Sequence, residues 1–165
     1  HGLIPTNDFG PLISATQKER VMEYIQIGKD EGADLLSGGQ SVGDKGYFVQ
    51  PTIFSNVKGD MRIAREEIFG PVLCAESFDD SDLETIANKA NNTSYGLSGS
   101  VWTQDISVAH KMAMLIDSGQ VSINCHAAVD PAIPFGGNKQ SGWGREFGKE
   151  GLEPYLKTKA TTVIF

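Results

Sequence analysis

The segment between residues 72 and 124 alternates apolar, β-branched runs with stretches of helical periodicity. This alternation constrains the fold more than any other feature of the chain, because short connections between alternating strands and helices favour parallel strands covered by helices. The sequence therefore predicts an α/β fold, a three-layer arrangement around a parallel sheet. The predicted strands span 72–78, 97–102 and 120–124, and the predicted helices span 81–91 and 105–119, the second capped by Asp105.

The chain before this segment predicts one helix followed by mostly extended structure. Ser14 and Gln17 have the spacing of a capping box, which predicts a helix over 16–31 that ends at Gly32. Because proline cannot donate to a strand ladder, we expect the extended stretch that contains Pro51 to lie near a sheet edge. The remaining predictions here are a strand at 33–37, a glycine-rich loop at 38–46 and extended structure at 47–54.

Beyond Asn124 the sequence is rich in proline and glycine until Arg145. Loops at the carboxyl ends of parallel strands commonly bind ligands, so this stretch is a candidate for a binding loop. Residues 145–157 predict a helix, and the β-branched residues 160–165 predict a terminal strand. Such a strand needs a pairing partner, which a second chain would supply.

Composition excludes several classes of function. The chain has 165 residues and a net charge of −7, which argues against binding to a nucleic-acid backbone, and no apolar run is long enough to span a bilayer. Cys74 and Cys125 are the two cysteines, too few for a disulfide scaffold or a four-cysteine metal site. We therefore expect a globular protein of the reducing cytoplasm without a metal.

Residues 65–71, Arg-Glu-Glu-Ile-Phe-Gly-Pro, place two carboxylates and an aromatic ring before a Gly-Pro stop. The residue before proline is disfavoured in the α region, and we expect Gly70 to take backbone angles closed to other residues. Phe69 can then present its ring to a ligand beside the acceptor Glu67. The alternative is a helix C-terminus with solvated acids and a core phenylalanine.

Residues 66–71 resemble a signature of the NAD(P)-dependent aldehyde dehydrogenase superfamily. Further motifs resemble that family in its order along nearly the whole chain: Gly-Pro-Leu-Ile-Ser at 10–14, Gly-Tyr-Phe-Val-Gln-Pro-Thr at 46–52, Asn-Asn-Thr-Ser-Tyr-Gly-Leu at 91–97, Pro-Phe-Gly-Gly at 134–137 and Gln-Ser-Gly at 140–142.

The resemblance implies the C-terminal portion of an enzyme that oxidises aldehydes to carboxylic acids. Residues 1–150 would belong to the catalytic domain, and 151–165 would form a helix end and an oligomerisation strand. The catalytic cysteine and glutamate would lie upstream of His1, so this chain alone should be inactive. A non-catalytic assembly module remains the alternative, and an enzyme that passes its acyl group to coenzyme A stays open.

The same resemblance assigns cofactor contacts. Glu67 matches the glutamate that binds the nicotinamide ribose, and Phe69 matches the phenylalanine that packs on the nicotinamide ring. Gln17 and Arg20 match positions that contact the riboses, although many members carry lysine at the second. The implied cofactor is NAD, and NADP stays open.

Substrate contacts are implied by the segment around residues 124–135. Phe135 matches a ring that walls the aldehyde tunnel, and His126 and Val129 are expected to line its entry. The segment resembles phenylacetaldehyde dehydrogenases more than betaine aldehyde dehydrogenases, which favours an aromatic aldehyde. Cys125 and His126 do not predict a catalytic dyad, because adjacent side chains of a strand point to opposite faces.

Overall fold

The structure is a computed structural model that describes residues 8–79, 82–126 and 128–165. These residues form two compact units, which divide between Asp80 and Ser81. The described helices and strands alternate, and parallel pairs occur in both units, so the predicted α/β class is confirmed. Within the described ranges, no helix is both long enough and apolar enough to cross a membrane.

In the first unit, helix α1 (Ala15–Asp30) lies close to its predicted bounds. The Ser14 hydroxyl accepts from the Gln17 backbone N–H at 3.1 Å and caps the helix start. At its end, Gly32 takes φ 88°, and the N–H groups of Gly32 and Ala33 donate to the carbonyls of Lys29 and Gly28. This pair of bonds is a Schellman motif, which explains the stop at Gly32.

The strands of the first unit are β1 (Asp34–Ser37), β2 (Ser41–Val42), β3 (Phe48–Val49), β4 (Thr52–Ser55) and β5 (Val72–Cys74). Strand β4 lies between β1, which is antiparallel to it, and β5, which is parallel to it. Strands β2 and β3 form a separate antiparallel pair. The expected edge position of 47–54 is therefore wrong for β4, because Pro51 precedes the strand instead of interrupting its ladder.

The core of the first unit packs α1 against β4 and the short helix α2 (Arg62–Arg65). Phe54 of β4 and Val21 of α1 are fully buried. A Cβ added to Gly28 would lie 3.0 Å from Ile63 and 3.1 Å from Phe54, so this glycine brings the helix close to both elements. Core packing fixes one face of α1. Side chains of α1 next to that face reach the turn that follows α2.

The second unit contains the predicted strand–helix–strand repeat. Strands β7 (Ser98–Val101) and β8 (Gln120–Ile123) are parallel and are connected by α4 (Ile106–Leu115), which Asp105 caps as predicted. The remaining elements are α3 (Leu83–Ala90), capped by Asp82, and the antiparallel pair β6 (Tyr95–Gly96) and β9 (Asn138–Lys139). The helix α4 ends before its predicted stop at Gly119, because Ile116 already takes an extended conformation.

The helix predicted for the C-terminal part is wrong, whereas the terminal strand stays a prediction. Residues 145–157 do not form a helix: Glu146 pairs with Phe135 in a β-bridge, Phe147 and Gly148 take left-handed angles, and a short 3₁₀ turn spans Glu153–Tyr155. Residues 160–165 have no strand pairing among the described residues. An isolated strand has no ladder to join, so the oligomerisation strand and the division at residue 150 stay predictions.

Candidate functional site

The turn between α2 and β5 places two exposed side chains on either side of a buried one. Glu67 and Phe69 are exposed, with Phe69 71% accessible, whereas Ile68 is 7% accessible and belongs to the core. Ile68 therefore anchors the turn while its neighbours face outward. The exposure of Phe69 rules out the alternative reading of this residue as a core phenylalanine.

The backbone of this turn differs from the prediction in one respect. Phe69, and not Gly70, takes the left-handed conformation, with φ 62°. Gly70 is required for another reason: a Cβ added there would lie 2.5 Å from Val21 Cγ2. A bulky residue in the left-handed region is strained, so the surrounding contacts must hold Phe69 in place.

Helix α1 supplies those contacts. The Gln17 side-chain amide donates to the Phe69 carbonyl at 2.9 Å and to the Ile68 carbonyl at 3.3 Å. Arg20 Nη2 donates to the Glu67 carbonyl at 2.9 Å. Side chains three residues apart on one helical face thus bind three consecutive carbonyls. The structure brings together all four residues predicted to contact the cofactor.

A second network, absent from the sequence-based prediction, adjoins this contact. The Tyr24 hydroxyl donates to Glu66 Oε2 at 2.6 Å, and Arg62 donates to both oxygens of the same carboxylate at 2.9 and 3.1 Å. Arg20 donates to the Tyr24 hydroxyl at 3.3 Å. The available sequence signal was the spacing of four between Arg20 and Tyr24 and between Arg62 and Glu66.

These contacts shift the pKa values of Glu66 and Tyr24. The hydrogen bonds from Arg62 and then Tyr24 lower the pKa of the Glu66 carboxyl to about 2. The bond to Glu66 is also the main reason that the pKa of Tyr24 is raised. Glu66 is therefore a fixed anion, and Tyr24 remains a protonated donor to it.

The Glu67 carboxylate differs from that of Glu66. Among residues 8–79 it has no hydrogen-bond partner, while its own backbone carbonyl is held by Arg20. It borders a shallow depression of about 280 Å³, which Phe69 and the β5 residues Val72 and Cys74 also line. An unpaired carboxylate next to an exposed ring fits a ligand that offers hydroxyl donors and a flat apolar face.

The candidate substrate residues lie in the second unit, in the loop between β8 and β9. Asn124 takes φ 55° and ends β8 one residue before the predicted bound. His126 Nδ1 is 2.8 Å from Ser100 Oγ, so its imidazole bonds with β7. Val129 is 49% accessible, and Phe135 is half-buried. Residue 127 lies outside the described residues, and Ala128 accepts from Gln120 through its carbonyl.

The segment that carries Phe135 is held by residues that sequence analysis missed. Arg145 donates to the Gly137 and Gly144 carbonyls and to Asn138 Oδ1, each at 2.8–2.9 Å. The Ser141 hydroxyl accepts from the Gly96 N–H at 3.0 Å. The glycine-rich motifs thus form a backbone held by side-chain hydrogen bonds.

Cys74 does not have the low thiol pKa of a reactive cysteine. Burial raises the pKa of the Cys74 thiol to about 11, which keeps it protonated near neutral pH. Cys125 is half-buried. The described ranges contain no cluster of three or more histidine, cysteine or acidic side chains able to hold a metal ion.

Comparison with known proteins identifies the class to which this chain belongs. The profile described as "Aldehyde dehydrogenase family" matches residues 1–161. The chain is similar to the mitochondrial benzaldehyde dehydrogenase of Antirrhinum majus, with 48% identity over 151 residues, 92% of this chain and 28% of that protein.

Two solved structures have the same fold. An NAD+ complex of aldehyde dehydrogenase from Bacillus cereus matches with a TM-score of 0.87 and 48% identity, covering 92% of this chain and 30% of that one. Betaine aldehyde dehydrogenase from Staphylococcus aureus in complex with NAD+ matches with a TM-score of 0.89 and 38% identity, covering 94% of this chain and 31% of that one.

The chain belongs to the aldehyde dehydrogenase family. The predicted resemblance is therefore confirmed. The chain spans about 28–32% of the length of the curated relatives that it matches.

Proposed function

We propose that this chain provides the nicotinamide-facing side of an NAD-dependent aldehyde dehydrogenase. The observation that carries the proposal is the turn at Glu67–Phe69, where an unpaired carboxylate and an exposed ring are fixed by Gln17 and Arg20. Support comes also from similarity to two enzymes whose structures contain NAD+. When bound, NAD accepts the hydride that leaves the aldehyde carbon.

The residues of the turn have separate roles in this proposal. The Glu67 carboxylate accepts from the vicinal ribose hydroxyls, and the Phe69 ring packs against the nicotinamide. Charge-assisted hydrogen bonds to two neighbouring hydroxyls fix both the position and the rotation of the nicotinamide ribose, which hydride transfer requires. Gln17 and Arg20 contact the cofactor from α1; Arg20 still has donors beyond the one that holds the Glu67 carbonyl.

The remaining chemistry belongs to a longer protein, here called the extended chain: this sequence joined to the part of its relatives' length that it does not cover. The extended chain contributes the cysteine nucleophile and the glutamate that activates water. The 165-residue chain alone lacks them and is inactive.

Residues 160–165 pair with a second copy, because their apolar side chains are exposed and their backbone lacks a ladder among the described residues.

The aldehyde is aromatic in this proposal, with phenylacetaldehyde as the test compound. The similarity to a benzaldehyde dehydrogenase at 48% identity, against 38% for the betaine enzyme, favours an aryl group over a quaternary ammonium. His126, Val129 and Phe135 line the substrate entry.

The test measures NADH formation at fixed NAD with phenylacetaldehyde and with betaine aldehyde, using the 165-residue chain and the extended chain. We expect activity in the extended chain only, and faster turnover with phenylacetaldehyde. Faster turnover with betaine aldehyde would reverse the substrate assignment. A folded but inactive extended chain would contradict the enzyme and favour an assembly module.

Glu67→Gln tests the cofactor contact within the extended chain. Because glutamine lacks the charge, we expect the KM for NAD to rise about tenfold, the loss typical of one charge-assisted hydrogen bond. Asp44→Asn is the matched control, an exposed carboxylate in the loop between β2 and β3. Equal kinetics in both variants would remove Glu67 from the site.

A further inference from the structure

The contacts around Tyr24 form a directional chain that ends at the Glu67 backbone. The Tyr24 hydroxyl accepts from Arg20 and donates to Glu66, whose carboxylate is bound on its other side by Arg62. The same Arg20 nitrogen donates to the Glu67 carbonyl. Arginine has no acceptor, so the Tyr24 hydroxyl must accept from Arg20 and can donate only to Glu66. The direction of these hydrogen bonds is therefore fixed, and the hydroxyl orients both charged partners.

Tyr24 is well placed to act as the fixed point of this chain. Its residue is 5% accessible and belongs to the core of the first unit. The Arg20 guanidinium carbon lies 4.8 Å from the centre of the Tyr24 ring, and that of Arg62 lies 5.4 Å from it. Both guanidinium groups are therefore oriented by one buried ring as well as by hydrogen bonds.

The Glu67 turn needs such a support. Phe69 takes a strained left-handed angle two residues after the carbonyl that Arg20 holds. A small rotation of the Glu67 backbone would move its carboxylate, and misplacement by about 1 Å can cost two orders of magnitude in rate. The orientation of Arg20 is thus connected directly to the position of the Glu67 carboxylate.

We infer that Tyr24 is a positioning residue for NAD: through its hydroxyl it orients Arg20 toward the Glu67 carbonyl and so sets where the Glu67 carboxylate meets the nicotinamide ribose. The inference rests on the proposed function of Glu67. Glu66 accepts from the hydroxyl on its other side and is itself held by Arg62.

The first test is Tyr24→Phe in the extended chain, which keeps the buried ring and removes only the hydroxyl. We expect the KM for NAD to rise about threefold to tenfold, the span typical of one hydrogen bond, while the KM for the aldehyde stays unchanged. Tyr47→Phe is the matched control, because Tyr47 precedes β3 at an exposed position of the same unit. Glu66→Ala, at an exposed side chain, should reproduce the effect without touching the core.

A double variant separates positioning from general stability. If Tyr24 acts through Glu67, adding Tyr24→Phe to Glu67→Gln should raise the KM for NAD little beyond Glu67→Gln alone. Additive effects, or a lowered melting temperature with unchanged KM, would overturn the inference.

The same measurements distinguish the two proposals. An effect of Glu67→Gln without an effect of Tyr24→Phe overturns the positioning role alone. No effect of Glu67→Gln removes Glu67 from the cofactor site and overturns the positioning role with it, while NADH formation by the extended chain tests the enzyme itself.

Discussion

Gly70 packs so closely on Val21 that a Cβ built on the glycine would lie 2.5 Å from Val21 Cγ2. Val21 is fully buried in the middle of α1, so it cannot move aside without disturbing the core. The contact fixes the end of the Glu67–Phe69 turn against the helix that supplies Gln17 and Arg20. A glycine after Phe69 is thus a packing requirement of the site.

Gly70→Ala should destabilise the chain by about 1–3 kcal/mol, as overpacking of a well-filled core does. The measurement is the free energy of unfolding from urea denaturation followed by far-ultraviolet circular dichroism. Gly10→Ala is the control, because a Cβ at Gly10 meets nothing within 4 Å. Equal stability of the two variants would contradict the contact.

The left-handed angle of Phe69 predicts an unusual order of substitutions. Asparagine tolerates this conformation, whereas a β-branched residue does not, so Phe69→Val should be less stable than Phe69→Asn by about 1–2 kcal/mol. Both changes remove an exposed ring, which makes them a matched pair for urea denaturation. If valine were as stable as asparagine, the backbone at this position would not be left-handed.

Glu66 predicts a loss of stability in acid. Its pKa falls from 4.5 in the unfolded chain to about 2 in the folded one, so its contribution is present above pH 4.5 and is lost as the pH drops toward 2. Because the Arg62 and Glu66 side chains are 48% and 42% exposed, solvent screening should limit the effect to less than about 1 kcal/mol. Urea midpoints at pH 6 and pH 3 should differ less in Glu66→Gln than in the parent. An equal pH dependence in both proteins would argue against the ion pair.

Cys74 should resist alkylation in the folded chain. With a thiol pKa of about 11, only about one molecule in a thousand is a thiolate at pH 8. In a Cys125→Ser variant, mass spectrometry after iodoacetamide treatment should find Cys74 unmodified until urea unfolds the chain. Rapid labelling without urea would show that the thiol is neither buried nor shifted.

The sequence predicted elements whose signals are local. The cap at Ser14, the stop at Gly32 and the cap at Asp105 each act through neighbours within a few residues, and all occur as predicted. The meeting of Gln17 and Arg20 with Glu67 and Phe69 followed from resemblance and not from spacing, since these pairs lie about fifty positions apart.

The failures have a common physical cause, which is tertiary context. Residues 145–157 have polar, helix-compatible spacing, but Glu146 bonds to the Phe135 backbone, and Gly148 takes a left-handed angle. Pro51 predicted an edge position for β4, yet strands from both sides pair with it. The Tyr24 network was missed because its partners come together only when α2 packs against α1.

The burial of Ile68 between Glu67 and Phe69 gives this turn an uncommon mechanical character. Opening it would expose an apolar side chain at a cost of about 2 kcal/mol, in addition to the bonds from α1. Unlike a lid that fluctuates and closes over its ligand, the turn is a rigid, preformed surface. A ligand that docks on it loses little to the ordering of the protein, and its affinity should depend on how well it fits a shape that exists before it arrives.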